Sequence, residues 1–196
     1  MKMKLRISIL IVILFGFVAA QTSVAQSSTS SLAQEALKGV RPFIGTWTAE
    51  AEAYDGFDGN IESGKIDLVL RFRWLREEAA VEFSSRIIHK KTGKQFNTGS
   101  KILSLDAETG KLQVFGYGYE GDMYFSNRGT MEIKGSKIIW EMNEVSINKT
   151  KSKYTVTLTL EASKLLSVQM TEIIVDGKKQ KDWSTKLHRN TKTTSN

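Results

Sequence analysis

The side chains of this chain that could do chemistry fall at the ends of alternating polar and apolar segments. Glu172 is in step with Leu166, Val168, Met170 and Ile174. A carboxylate in such an apolar row is costly to bury unless it is paired. There it would anchor a cation or, with a raised pKa, act as a general acid. The plainer use is a strand end turned to water. His89 ends its segment beside Lys90 and Lys91, where a lone histidine is usually solvated and haem ligation is the other use. Tyr117, Tyr119, Tyr124, Tyr154 and Trp183 join apolar faces to polar tips, the combination small-ligand sites employ. The expected ligand-binding set is therefore His89, Tyr117, Tyr119, Tyr124, Tyr154, Glu172 and Trp183. No catalytic residue is assigned. Two histidines and no cysteine do not make a zinc set. Neither a phosphate loop nor a nucleophile elbow is present, and no cofactor is expected.

These residues sit on a long series of period-two segments. Trp47, Ala49, Ala51 and Ala53 alternate with Thr48, Glu50 and Glu52. Ile66, Leu68, Leu70, Phe72 and Trp74 share one face, as do Val81, Phe83, Ser85, Ile87 and His89. Further strands are predicted over 101–106, 111–119, 123–133 with a bulge at Gly129, 137–143, around Tyr154 to Leu160, 165–175 and 182–189. Alternation over so many segments separated by turn residues is an all-β signal. Ten antiparallel strands let the first and last pair and remove both sheet edges. The expected fold is an antiparallel up-and-down β-barrel of about ten strands.

The connections predict two unlike ends. Of the five at one end, those over 55–64, 90–100, 144–151 and 176–181 read as long and the one over 120–122 as short. Those over 76–78, 107–110, 134–136 and 163–164 read as short. In a meander, alternate loops gather at opposite ends, which describes a cup with a mouth and a floor. Ser31-Leu32-Ala33-Gln34 resembles a capping box. It predicts a short N-terminal helix to about Lys38, stopped by Gly39 and Pro42, that caps the floor.

Lys2, Lys4 and Arg6 precede an apolar run from Ile7 to Ala20 and the small residues Ser23-Val24-Ala25. The run is shorter than the ~20 residues of a membrane span, and the pattern is that of a signal peptide over 1–25. The remaining boundaries are a leader and short helix over 26–42, a barrel over 43–190 and a disordered tail over 191–196. Export to the periplasm or the extracellular space is expected, with no transmembrane segment after cleavage. Loss of Lys2, Lys4 and Arg6 lowers the formal charge from +7 to +4. Lys and Glu are interspersed, whereas nucleic-acid binding needs a clustered basic face, so no nucleic-acid partner is expected. With no cysteine, the fold rests on its core alone.

Gly45-Thr46-Trp47, opening the first strand after a short helix, resembles the Gly-x-Trp signature of lipocalins and their calycin relatives. Phe43-Ile44-Gly45-Thr46-Trp47, Phe72-Arg73-Trp74-Leu75 and Leu105-Asp106-Ala107-Glu108-Thr109-Gly110-Lys111 resemble segments of secreted bacterial lipocalin-like domains. The resemblance covers most of residues 43–189. It implies that Arg189 packs on Trp47 at the closed end, with Gly45, Trp47 and Arg189 structural. The strand count, ten rather than eight, looks more like fatty-acid-binding-type calycins. The function it implies is binding of a small, mainly apolar molecule at the mouth. The alternatives are an envelope interaction protein with a filled barrel, or an isomerase, hydratase or cyclase using the cavity.

Overall fold

The computed structural model describes residues 32–52, 65–75 and 78–190. The expected signal peptide, leader and tail lie outside them, as does the whole of the 55–64 connection. A helical turn over 32–37 runs directly into a 3-10 helix, Lys38–Phe43. Pro42 lies inside that helix rather than ending it. A proline near a helix end loses little, and the tighter 3-10 winding is common in short connecting pieces.

The strands are β1 (Gly45–Glu52), β2 (Lys65–Trp74), β3 (Ala80–His89), β4 (Gln95–Leu105), β5 (Leu112–Glu120) and β6 (Met123–Lys134). They continue with β7 (Lys137–Ser146), β8 (Lys151–Ala162), β9 (Leu165–Val175), β10 (Lys178–Lys179) and β11 (Trp183–Arg189). From β1 to β9 each strand pairs antiparallel with the next. β11 then pairs with both β9 and β1 and closes the sheet. The result is an all-β, closed ten-stranded antiparallel barrel with the short helix at its N-terminal side, and β10 is a two-residue addition on β9. Closure leaves the main strands no free edge to aggregate through. No helix among the described residues is long and apolar enough to cross a membrane.

Two predicted long connections are mostly strand. β4 begins at Gln95, so the 90–100 connection shrinks to 90–94. β7 runs to Ser146, so the 144–151 connection shrinks to 147–150. Register passes unbroken through Gly129, and the expected bulge is absent there. A bulge lies instead on β9, where pairing shifts between Lys153 and Thr155 and Glu172 adopts a left-handed φ of 54°. An extra residue reverses the inside-outside alternation beyond it. Ile173 is consequently buried and Ile174 exposed.

The core fills the floor half of the barrel. Phe43, Trp47, Phe72, Val81, Leu103, Ile138, Leu166 and Leu187 are all buried there. Phe72 packs on Phe83 at 4.8 Å, and Phe83 meets the edge of Trp140 at 5.0 Å. At the base, Trp47 Nε1 donates to Phe43 O at 2.8 Å, and the Arg189 guanidinium lies 4.2 Å from the Trp47 ring centroid. Arg189 also donates to Ile44 O at 2.6 Å, to Ser163 O at 3.0 Å and to Pro42 O. Gly45 makes this possible. Its φ is 136°, and a Cβ there would stand 2.8 Å from Arg189 Nη1. The spacing of Gly45 and Trp47 thus has a local physical cause.

Candidate functional site: a mainly apolar cavity under the barrel mouth

Above the aromatic layer of Phe83 and Trp140 the barrel is hollow. The cavity measures about 160 Å³. A closed apolar cavity of ~150 Å³ takes up a benzene-sized molecule. Its walls are apolar side chains of β2, β3, β8 and β9, among them Leu68, Ile87, Val156 and Met170. All of these come from the mouth half of their strands, so the hollow opens toward the long-loop end.

One side of the wall is polar. Reading across the sheet in register, Lys101 of β4 faces Gly116 of β5, Gly116 faces Asn127 of β6, and Asn127 faces Glu144 of β7. This is one transverse row on the inner face. Glu144 Oε2 accepts from the Tyr154 hydroxyl at 3.0 Å and from Asn127 Nδ2 at 3.1 Å. Burial, reinforced by the Glu144 charge, holds the Tyr154 hydroxyl protonated well above its ordinary range. Lys101 is only 8% exposed, and its ammonium lies 5.9 Å from the Phe83 ring centroid. Burial pulls the Lys101 ammonium below the usual lysine value, while the Glu144 charge opposes that shift. Among the described residues, Trp140 Nε1 and Asn127 Oδ1 are buried without a hydrogen-bond partner. Trp140 lines the cavity through its ring, and its N–H is shielded from it.

Gly116 gives Lys101 room to lie across β5. A Cβ at Gly116 would sit 2.8 Å from Lys101 Cγ and 2.2 Å from Ser100 O. Gly116→Ala is expected to cost ~1–3 kcal/mol, as overpacking a filled interior does, and to displace Lys101. Urea unfolding of the two proteins measures it, and an unchanged midpoint would contradict the close approach.

Of the residues expected at the site, Tyr154 and Trp183 line the cavity. The others are elsewhere. Tyr117 and Tyr119 are 55% and 48% exposed. Both lie on the outer face of β5, in step with exposed Phe115, and Tyr119 meets Tyr124 edge-on at 5.4 Å. They stand at the mouth ends of their strands but on the opposite face. His89 points inward and is buried, yet it serves the 89–94 turn. Its Nδ1 accepts from Thr92 N at 3.3 Å and lies 2.9 Å from Thr92 Oγ1. Glu172 is outside because the β9 bulge turns it there, where its Oε2 accepts from Thr155 Oγ1 at 3.2 Å. Lys101, Glu120 and Glu144 were not anticipated. Counting back by two from Leu103 reaches Lys101, and counting on from Trp140 and Met142 reaches Glu144. That signal was obscured because 144 was read as the start of a loop. Among the described residues no group of three or more His, Asp or Glu could hold a metal ion.

Neither a protein-family model nor a curated protein sequence matches the chain. Among solved structures it is similar to the crystal structure of Rv2717c from M. tuberculosis, with a TM-score of 0.55 and 14% sequence identity. The match covers 79% of this chain and 97% of that one. At that identity the likeness concerns the fold alone.

Proposed function

We propose that this protein is an exported barrel that binds a small, mainly apolar molecule in the cavity under its mouth. The observation that carries the reading is the hollow itself: about 160 Å³ lined chiefly by apolar side chains, with Lys101, Glu144 and Tyr154 on one wall. Small-ligand sites pair an apolar lining with a few placed polar groups that fix orientation. A barrel serving only as a packed structural element would fill this space, because an empty apolar cavity forfeits contact energy. Export rests on the pattern of residues 1–25.

Trp140 and Trp183 both line the cavity, so tryptophan fluorescence reports occupancy. Titration with a neutral aromatic fluorophore such as naphthalene, or with toluene, is expected to give a saturable change. Ile87→Trp, which places a larger side chain in the same space, is expected to abolish it while leaving the barrel folded by circular dichroism. No saturable change in the unmodified protein would refute the reading. Native mass spectrometry of material purified without denaturation would then identify any ligand carried from the source.

A further inference from the structure

We propose that Lys101 is a nucleophile that captures small apolar aldehydes or ketones as an imine inside the barrel, an inference that rests on the cavity being the ligand site. Its placement is unusual for a lysine. The residue is 8% exposed, it borders the cavity, and among the described residues no hydrogen-bond acceptor or carboxylate pairs with its ammonium. Lysine ordinarily keeps its strongly hydrated charge in water, and a lysine held in apolar surroundings is the kind that reacts as a free amine. Burial favours that uncharged form.

The rest of the wall selects against the obvious alternative, an anionic ligand held by a lysine counter-ion. Glu120 and Glu144 also line the cavity, so an incoming carboxylate would meet two carboxylates against one ammonium whose charge burial already disfavours. A neutral carbonyl compound brings no charge and suits the apolar lining.

The transverse row supplies the proton handling. Glu144 is the carboxylate whose charge Lys101 feels, and Tyr154 and Asn127 hold it in place. Because no carboxylate pairs with the ammonium directly, water carries its proton to Glu144. The amine lone pair then forms the C–N bond as the carbonyl π pair moves onto oxygen, and a proton passes from nitrogen to that oxygen to give the carbinolamine. Glu144 returns its proton to the hydroxyl, the C–O bond breaks, water leaves, and the nitrogen lone pair closes the C=N bond. In sum, an ammonium and a carbonyl compound yield a protonated imine and one water, with no oxidant or reductant consumed. The protonated imine finds Glu144 as its counter-ion.

The test uses the full chain with benzaldehyde as the probe near neutral pH. Sodium cyanoborohydride traps any imine as a secondary amine, and peptide mapping by mass spectrometry locates it. The expected result is a dominant adduct on Lys101, suppressed by excess toluene, which fills the same space without a carbonyl. Lys101→Met is expected to lose that adduct while circular dichroism shows the barrel still folded. Should Lys101→Met not fold, Lys101→Arg keeps the charge, cannot form an imine, and carries the same comparison. If benzaldehyde displaces the fluorescent probe but modifies only surface lysines, imine capture is overturned and the cavity reading stands. If it neither displaces the probe nor modifies Lys101, both fail.

Discussion

Replacing Trp47 with alanine is expected to lower the unfolding free energy by ~3–5 kcal/mol, the usual cost of emptying a large aromatic site in a core. In a domain of this size that corresponds to roughly 6–20 °C in the thermal midpoint. Three features put Trp47 at the high end. It is fully buried in the main core cluster. Its indole N–H ties the first strand to Phe43 O of the entering helix. Its ring also carries the Arg189 guanidinium, which donates to backbone carbonyls at three points. Loss of the ring therefore loosens the junction of helix, first strand and last strand, where the barrel closes. Arg189→Met removes the hydrogen bonds and the cation–π contact, itself worth ~0.5–2 kcal/mol, but keeps some packing, and should cost less. Urea unfolding with a check that the slope is unchanged measures both. A Trp47→Ala loss under ~1 kcal/mol would show that the floor repacks and that closure does not depend on this clasp.

The second large effect is expected at Glu144. Glu144→Leu leaves the Tyr154 hydroxyl and the Asn127 amide without their shared acceptor. A buried donor so stranded costs ~1–3 kcal/mol, and two are stranded at once. Tyr154→Phe removes one of those donors, so the double variant should lose less than the sum of the single losses. Coupling of ~0.5–3 kcal/mol is usual for residues in one hydrogen-bond network. Strict additivity would show that the three side chains do not act together. The same network sets an alkaline limit. The folded pKa of Tyr154 is raised, whereas an unfolded tyrosine ionises near ~10. This stabilisation is fully present below that value and is lost as pH rises toward the folded pKa. Tyr154→Phe should flatten the decline in thermal midpoint above pH ~10.

The alternation of Ile66, Leu68, Leu70 and Phe72, or of Val81 and Phe83, states directly which side of a strand faces the core. An inward row needs apolar surface and an outward row needs solvation. Those rows also placed Tyr154, whose neighbours Val156 and Leu158 leave no doubt about its face. The method fails where that contrast is missing. Asn97-Thr98-Gly99-Ser100 carries no apolar alternation and reads as a loop. It is strand because β3 and β5 offer backbone partners on both sides, and ladder hydrogen bonds do not depend on side-chain polarity.

Phase is also a running count, and one inserted residue resets it. The bulge at Glu172 has no sequence marker, so the inward assignments of Glu172 and Ile174 were reversed. Tyr117 and Tyr119 show a third limit. Their position along the strand was read correctly, but a face can be assigned only by counting from Val114. That count puts Gly116, Gly118 and Glu120 inside and the tyrosines outside.

By itself, then, the sequence determined a single all-β meander and its floor around Trp47, because alternation and turn residues are local properties. Only the tertiary structure decided which polar residues share the cavity. Lys101, Glu120, Glu144 and Tyr154 come from four strands spread over more than fifty residues. What aligns them is inter-strand register, which hydrogen bonds between strands set and no local pattern encodes.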